Sequence, residues 1–410
     1  MLQKSPLAPA RFPRLPPIAG VEVAGAACGL KESKRHDLFA ARLAPGTTVA
    51  GCFTRSLCPS APVDWCRRIL PRGKAGCVVV NSGNANAFTG KAGDRTIEHT
   101  VRRAADLFGC KPNQVYIAST GIIGVPVPPD HIAAKLPGLV KQLGPAAWAD
   151  AAKAIMTTDT FAKGCIRTAR IGDAEVTITG IAKGSGMIAP DMATMLGFIF
   201  TDAKIPAPVL QTLLTRAVDD SFNSITVDSD TSTSDTVLLF ATGQGPRHPR
   251  VTGARDRHLA DFRRALAELA QDLAIQIVRD GEGAQKLVTI DVTGATSRIA
   301  ARRIGLSIAN SPLVKTAVAG GDPNWGRLVM AVGKAGQKAD RDLLSVSIGG
   351  VTVTENGQLR ADYDEALAAR HMGGRNVSLG VDIGLGRGKA RVWTCDLTHG
   401  YITINADYRT

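Results

Sequence analysis

One stretch of this chain changes abruptly from a polar loop into an apolar run. Residues 183–194 are rich in glycine and polar side chains, which suit a loop with unusual backbone angles. Residues 195–200 are apolar, and a short apolar run that ends in polar residues predicts a buried β-strand. Thr194 therefore stands at the first position of a predicted core strand. Packing explains a hydroxyl poorly there, because a buried hydroxyl needs a hydrogen-bond partner.

A threonine at this junction suits one particular chemistry. If the Thr194 hydroxyl attacks the carbonyl carbon of Ala193, the peptide bond becomes an ester that water can hydrolyse, and the chain is cut. The product has a new N-terminal threonine, whose α-amino group has an ordinary pKa of about 7.7–8.0. Such an amine can act as a general base near neutrality. On the pattern alone, an ordinary threonine at a loop–strand junction is the alternative.

Composition limits the classes of protein to consider. The 410 residues are 44% hydrophobic and 21% charged, which is ordinary for a folded protein with two or three domain-sized units. The net charge is +13, but the basic residues form no long block and only 5% of residues are aromatic. A basic surface that favours anionic amino-acid substrates is expected rather than a nucleic-acid partner. No apolar run approaches the roughly 20 residues of a membrane span, so no membrane partner is expected.

The cysteines predict a reducing environment. The eight cysteines include no Cys-x-x-Cys pair and have no metal-type spacing with the seven histidines. In a chain of this length they predict reduced, mostly buried thiols and a cytoplasmic protein without a metal site. The segment 224–235 is dense in hydroxyls and carboxylates, but it lacks the spacing and terminal glutamate of a calcium loop. We interpret it as a structural network around the nucleophile.

Hydrophobic periodicity predicts alternating strands and helices, which is typical of an α/β protein. The Gly-Gly pair at 349–350, between the strand-like runs 346–348 and 351–353, also predicts a β-hairpin. The predicted strands are 77–81, 115–118, 174–182 and 286–292, and the predicted helices are 96–108, 145–156, 209–218 and 259–277.

Two polar motifs stand where predicted elements end. The strand 115–118 runs into a Ser-Thr-Gly segment at 119–121, which places backbone N–H groups and a hydroxyl at a strand end. Such donors can stabilise an oxyanion, and the loss of one typically costs about 3–4 kcal/mol of activation free energy. A plain glycine turn is the alternative. Glu282 lies between two glycines at a helix–strand junction, where it is either a surface turn or a side chain aimed at a ligand.

Residues 183–203, KGSGMIAPDMATMLGFIFTDA, resemble the self-cleavage segment of the ornithine acetyltransferase family of arginine biosynthesis along their whole length. Further segments are similar to motifs of the same family, and the resemblance extends over nearly the whole chain. These segments are, in order, SGNANA, STGIIG, MTTD, DGEGA, DPNWGR and the terminal INADYRT.

The resemblance assigns roles to individual residues. It implies that Thr194 is the nucleophile, released by cleavage after Ala193, and that Thr120 and Gly121 form the oxyanion hole. It also implies a set of substrate-binding residues, in which a cation at the lysine position suits an amino acid's carboxylate. This set is Thr157 (with Thr158 as the alternative), Lys183, Thr194, Glu282, Asn405 and Thr410.

The resemblance, together with the alternating pattern, also implies a fold and an assembly. The expected fold is α/β, with mixed sheets layered between helices in an αββα-like core and a smaller C-terminal α/β domain. We predict three segments: 1–193 with the oxyanion and cleavage loops, 194–300 with the nucleophile strand, and 301–410 as the C-terminal domain and closing tail. The α and β fragments produced by cleavage are expected to stay associated as a heterotetramer of two of each.

The implied reaction moves an acetyl group from N2-acetylornithine to glutamate without a cofactor. Some members of the family also use acetyl-CoA as a substrate, and the sequence leaves that activity open. One alternative is a self-processing N-terminal-nucleophile hydrolase such as a β-aminopeptidase, and another is an amino-acid-binding protein that is not cleaved. An α/β-hydrolase is excluded, because Lys183 stands where a Gly-x-Ser-x-Gly motif needs its first glycine. A nucleotide site at 384–389 is not expected, because strand-like sequence follows it instead of a helix.

Overall fold

The computed structural model describes residues 3–31, 33, 35–189 and 195–407. These residues form two compact units. The larger unit comprises Pro9–Asn223 and Asp230–Ile277, and the smaller unit comprises residues 3–8, Ser224–Ser229 and 278–407. The predicted segment boundaries at 193/194 and 300/301 stay predictions.

Strands and helices alternate along much of the described chain, which agrees with the periodicity of the sequence. The strands of the described residues are β1 Val21–Ala26, β2 Leu38–Leu43, β3 Thr48–Phe53, β4 Cys77–Asn84, β5 Val115–Ile122, β6 Lys163–Ile171, β7 Ala174–Lys183, β8 Leu196–Thr201, β9 Thr236–Ala241, β10 Leu287–Ala295, β11 Ser345–Ile348, β12 Val351–Glu355, β13 Gln358–Leu359, β14 Asn376–Asp382 and β15 Gly388–Cys395. Their α-helices are α1 Ala61–Ile69, α2 Gly90–Phe108, α3 Asp130–Val140, α4 Trp148–Ala154, α5 Ala207–Asp219, α6 Ala260–Arg279, α7 Arg298–Ala309, α8 Pro312–Gly320, α9 Trp325–Gly333, α10 Glu365–Met372 and α11 His399–Asp407.

Two mixed sheets face each other in the larger unit. The first has the strand order β1-β2-β4-β5, and the second has the order β3-β9-β8-β7-β6. Phe39 of β2 lies 5.6 Å from Phe198 of β8, and Tyr116 of β5 lies 6.1 Å from Phe240 of β9, measured between ring centroids. All four rings are buried. Aromatic pairs from facing sheets therefore fill the space between them, and each pair adds about 0.5–1.5 kcal/mol beyond the burial of its area.

Helices cover the outer faces of these two sheets. Ile97 of α2 and Leu136 of α3 cluster with Val79 of β4 on the face of the first sheet that points away from the second. On the second sheet, Gly180 of β7 lies so close to Leu273 of α6 that an added Cβ would be 2.7 Å from its side chain. The resulting order of helices, sheet, sheet and helices confirms the predicted αββα-like core.

The smaller unit is itself a mixed α/β structure, which agrees with the predicted C-terminal α/β domain. Its sheet has the order β13-β12-β11-β14-β10-β15, in which β10 is parallel to β14 and antiparallel to β15. Helix α7 packs on this sheet, since a Cβ at Gly305 would be 2.9 Å from the side chain of Val392. The predicted hairpin joins β11 and β12 through Gly349 and Gly350, both with positive φ.

Most predicted elements that bear on the site are confirmed, although several of their boundaries differ from the prediction. The apolar run that was predicted from 195 to 200 is β8, displaced by one residue. The strand expected to end at Ala118 instead continues to Ile122, because it keeps its pairing with β4 beyond that point. Ser82 lies opposite Thr120 in this extension. In the part of the chain that the structure describes, no helix has the length and apolar character needed to span a membrane.

A buried ion pair lies at the start of β6. The Nζ atom of Lys163 is 2.7 Å from Oδ1 of Asp159, and neither side chain is exposed. Burial raises the pKa of Asp159, but the charges of Lys163 and Lys183 lower it further than burial raises it, so the net shift is well below the ordinary value. Because the folded-state pKa is lowered, the stabilisation is present above the unfolded carboxyl pKa of about 4 and is lost only in strong acid.

We expect Lys163→Met to lower the free energy of unfolding by about 3–5 kcal/mol at pH 7, because Asp159 would stay buried without its hydrogen-bonded cation. The control is Lys153→Met, since Lys153 Nζ lies 3.3 Å from Asp150 Oδ1 in an exposed pair worth about 0–1 kcal/mol. Denaturant titration of both variants measures the difference. Equal losses of stability in the two variants would contradict the role assigned to the buried pair.

Candidate active site

The predicted nucleophile belongs to the segment that connects two antiparallel strands. β7 ends at Lys183 and β8 begins at Leu196, and these two residues are register partners. Residues 190–194, with the predicted cleavage site between Ala193 and Thr194, lie outside the described residues. Thr194 is nevertheless bonded to Met195, which directly precedes β8.

The loop after β7 contains a strained residue. Met187 has a φ of 56°, in the left-handed region that side-chain-bearing residues rarely adopt. Such a conformation costs on the order of 1–3 kcal/mol and is concentrated at functional sites. The backbone is therefore strained a few residues before the segment that contains the predicted cleavage site.

The two predicted oxyanion residues lie inside β5, next to β4. The Thr120 side chain is 1% exposed, and its Oγ1 atom lies 3.5 Å from Nζ of Lys183. Gly121 has a φ of 130°, and a Cβ there would be 2.4 Å from the carbonyl carbon of Gly83. Any larger residue at 121 would collide with the backbone of β4. The contact between the two backbones thus fixes the position of the Gly121 N–H.

Asp159 joins two of the predicted substrate-binding segments. Its Oδ1 accepts a hydrogen bond from the backbone N–H of Gly184 at 2.7 Å, and its Oδ2 accepts one from the backbone N–H of Thr157 at 2.9 Å. Thr157 is half-buried, whereas Thr158 is buried. The sequence pattern alone could not identify this role, because an aspartate in a polar turn is usually a local cap.

The structure places further charges near Lys183. Lys183 is 2% exposed, and its charge lowers the pKa of both Asp159 and Asp235 against the opposing effect of burial. Sequence reasoning missed Lys31, which lies in a charged loop without a recognisable motif. Burial and the nearby charge of Arg35 lower the pKa of Lys31 to about 8, and Lys183 lowers it as well. The larger unit therefore holds buried side chains of both charge types, and one of them, Lys183, lies beside Thr120.

The last part of the polar segment 224–235 is bound to neighbouring strands. The backbone N–H of Thr54, after β3, donates to the carbonyl of Asp235 at 3.0 Å. Oδ1 of Asp235 accepts a hydrogen bond from the backbone N–H of Met195 at 2.8 Å. These contacts form a network between Asp235, the residue after β3 and the residue before β8. Across the described ranges, no cluster of three or more His, Cys, Asp or Glu side chains could hold a metal ion.

Asparagines of the SGNANA motif also hold backbone. The Nδ2 group of Asn84 donates to the carbonyl of Val125 at 2.8 Å, and its Oδ1 accepts from the N–H of Asn86, also at 2.8 Å. Asn86 in turn donates to the carbonyl of Gly93 at 3.1 Å. These bonds tie the end of β4 to the segment after β5 and to the start of α2.

Two predicted substrate-binding residues meet in the smaller unit. Glu282 is 8% exposed, and its Oε2 accepts a hydrogen bond from Nδ2 of Asn405 on α11 at 2.7 Å. Gly283 has a φ of 75°, and a Cβ there would be 2.5 Å from the backbone nitrogen of Tyr401. The turn that carries Glu282 therefore depends on glycine to pack against α11. Thr410 lies outside the described residues.

Comparisons with known proteins agree with the resemblance in the sequence. The model of the ArgJ family matches residues 22–410. Proteins of Mesorhizobium japonicum and Brucella suis, both named arginine biosynthesis bifunctional protein ArgJ, are 55% and 54% identical to this chain over 408 residues, which is 99% of this chain and 99% of each relative. The sequence in the crystal structure of arginine biosynthesis bifunctional protein ArgJ from Bacillus halodurans is 37% identical to this chain. The superposition has a TM-score of 0.49 and includes 52% of this chain and 98% of the chain in that crystal structure. The match to the family model and the relatives confirm the predicted family, and the chain belongs to the ArgJ family.

Proposed function

We propose that this protein is a self-processing acetyltransferase of arginine biosynthesis that moves an acetyl group from N2-acetylornithine to glutamate. The observation that carries this proposal is the proximity of Lys183, the register partner of Leu196, to Thr120, which is bonded to Gly121; Nζ of Lys183 is 3.5 Å from Oγ1 of Thr120. Relatives named arginine biosynthesis bifunctional protein ArgJ, more than half identical from end to end, support the same reaction and not a peptidase.

The chain is proposed to cut itself between Ala193 and Thr194. The Thr194 hydroxyl attacks the Ala193 carbonyl carbon, the C–N bond breaks to give an ester, and water hydrolyses the ester to a carboxylate and a free α-amine. The strained Met187 supports this proposal, because cleavage would allow the loop to relax. The fragments would remain paired, since β7 and β8 lie on opposite sides of the cut but share one sheet. Two copies of each fragment would form the proposed heterotetramer.

Thr194→Ala is expected to abolish the cleavage, because alanine has no hydroxyl to attack the preceding carbonyl. A denaturing gel should show two bands for the wild type and one full-length band for the variant. Thr194→Ser is the matched control and should still be cut, because it keeps the hydroxyl. Native mass determination of the wild type should give twice the mass of one chain. A variant Thr194→Ala that is cut at the same bond would refute the assignment of the nucleophile.

The proposed transfer then proceeds in two steps through an ester on Thr194. In the first, the Thr194 oxygen attacks the acetyl carbon of acetylornithine while its proton passes to the Thr194 α-amine. The hydroxyl of Thr120 and the N–H of Gly121 stabilise the oxyanion. The intermediate collapses, the C–N bond breaks, and the protonated amine returns its proton to the departing ornithine nitrogen. In the second step, the amine of glutamate attacks the ester by the same route, and the proposal invokes no cofactor.

Acetylornithine alone is expected to acetylate the C-terminal fragment. Mass spectrometry should detect a gain of one acetyl group on Thr194, and later addition of glutamate should remove it with formation of N-acetylglutamate. The same assay with acetyl-CoA tests whether this compound is a second donor. Transfer that requires both substrates together, with no acetylated fragment, would exclude the ester mechanism. Loss of the acetyl group to water at the same rate without glutamate would favour the hydrolase alternative.

Substrate recognition is proposed to use opposite charges at two positions. Both substrates carry an α-carboxylate, and the buried Lys183 is the cation proposed to bind it in each case. Ornithine has a side-chain amine, for which Glu282 is the proposed partner. Asn405, which already donates to Glu282, and Thr410 are proposed to add neutral hydrogen bonds. Thr157, which is more exposed than Thr158, is the proposed hydroxyl contact.

Substitution of the two charged residues is expected to change the KM values of the acetyl donor and the acceptor differently. Lys183→Gln should raise KM for both acetylornithine and glutamate by about 10–100-fold, because a hydrogen bond to a charged group contributes about 1.5–3 kcal/mol. Glu282→Gln should raise KM only for acetylornithine, because glutamate has no side-chain amine. The control is Glu268→Gln, which removes an exposed carboxylate on α6 and should change neither value. A rise in the KM of glutamate equal to that of acetylornithine in Glu282→Gln would refute its role.

A cytoplasmic location is also part of the proposal. All eight cysteines are free thiols, and five of them are buried. This distribution fits a reducing compartment. Fractionation of cells with an antibody against this protein tests the location directly.

A further inference from the structure

Asp235 is a buried acid that the proposed reaction does not use. It directly precedes β9, and its side chain is fully buried. While Oδ1 accepts the Met195 N–H, the equally buried Oδ2 has no hydrogen-bond partner among the residues that the structure describes. The neighbouring Thr54 hydroxyl donates its proton elsewhere, to the carbonyl of Ser232 at 2.6 Å. Leaving a buried polar atom unsatisfied is destabilising, so a partner is expected for Oδ2.

A suitable hydrogen-bond donor belongs to the residue that precedes Met195 in the chain. Thr194 is bonded to Met195, and the backbone nitrogens of consecutive residues are about 2.7–3.7 Å apart for any backbone angle between them. The nitrogen of Met195 is itself 2.8 Å from Oδ1 of Asp235. The α-nitrogen of Thr194 thus belongs to the residue that is bonded to the one whose N–H Asp235 accepts.

We propose that Asp235 is the positioning residue of the N-terminal nucleophile. Oδ1 holds the backbone at Met195, and Oδ2 accepts a hydrogen bond from the α-amino group of Thr194 once the chain is cut. The inference rests on the proposed function, because the free amine exists only in the cleaved protein. The hydrogen bond orients the amine's lone pair toward the Thr194 hydroxyl, from which it takes the proton.

The charges around Asp235 influence at which pH the Asp235 carboxyl group and the Thr194 α-amino group gain or lose a proton. Lys183, at the end of β7, favours the carboxylate, whereas burial raises the pKa of Asp235. On the other elements in contact, Met195 before β8, Thr54 after β3 and Ser232 on the same loop are neutral. A carboxylate beside an amine raises the proton affinity of the pair, wherever the proton resides. The amine is a base only when it is unprotonated, so this proton affinity sets the acid limb of the activity profile.

The test is Asp235→Asn, which keeps an oxygen for the Met195 N–H and replaces the other oxygen by an NH₂ group that cannot accept a hydrogen bond. Self-cleavage should proceed, since the amine plays no part in it. Acetyl transfer from acetylornithine to glutamate should slow by about 10-fold, because the base is less well oriented. The acid limb of kcat/KM should move to lower pH by about 1 unit, because the negative charge beside the amine is gone.

Asp202→Asn is the matched control. Asp202 lies just beyond the opposite end of β8, and its Oδ1 likewise accepts a backbone N–H, from Thr177 at 2.8 Å. This variant makes the same chemical change in the same sheet and should keep the wild-type rate and pH profile. A purely structural role for Asp235 predicts that both variants behave alike.

The outcomes separate this inference from the function on which it rests. A wild type that makes no N-acetylglutamate from acetylornithine would refute the function itself. An active wild type together with an Asp235→Asn protein that has an unshifted acid limb, or that folds but stays uncut, would overturn only the role of Asp235. If Asp235→Asn does not fold, Asp235→Glu replaces it, since it retains the negative charge and should keep the acid limb in place. A shift to lower pH in Asp235→Glu would then overturn the inference.

Discussion

The burial of β8 between two strands is the constraint on which the larger unit depends. All six of its residues are buried, and it is parallel to β9 on one side and antiparallel to β7 on the other. Its inward-facing Phe198 and Phe200 fill the space between the two sheets. Because a shift of one residue would turn these rings toward the opposite face, the register of β8 is strongly specified. Met195, which directly precedes the strand, is held as well, because its N–H donates to Oδ1 of Asp235.

Asp159 is a charged group in this apolar interior that has several partners. The carboxylate of Asp159 has the cation of Lys163 and two backbone N–H groups as partners. Its position between the loops that carry Thr157 and Gly184 means that one charged group fixes two segments at once. Glu282 is held in a comparable way in the smaller unit, where its partner Asn405 comes from α11. Buried ion pairs often add little net stability, so their value here is in fixing the geometry.

The sequence predicted most of the elements, but not the contacts that surround the candidate site residues. The strand 195–200, the helix 259–277 and the αββα layering follow from apolar periodicity and from a resemblance with specific motifs. The end of β5 was predicted too early, because glycine usually ends a strand. At Gly121 it instead permits close contact with Gly83 of β4. Asp159 and Lys31 gave no distinct signal, because part of their environment, the Gly184 N–H and the charge of Lys183, comes from far away in the chain.

The strand order of the second sheet has a consequence for how the protein is made. In the order β3-β9-β8-β7-β6, the adjacent strands β9 and β8 come from the part after residue 193. The strands on either side of them, β3 and β7, come from the part before it. A separate C-terminal piece would expose two apolar strand edges, which favours aggregation. Cutting must therefore follow folding in the protein proposed here. Once cut and denatured, the two pieces can recover their structure only by finding each other, so renaturation becomes a bimolecular process that fails on dilution.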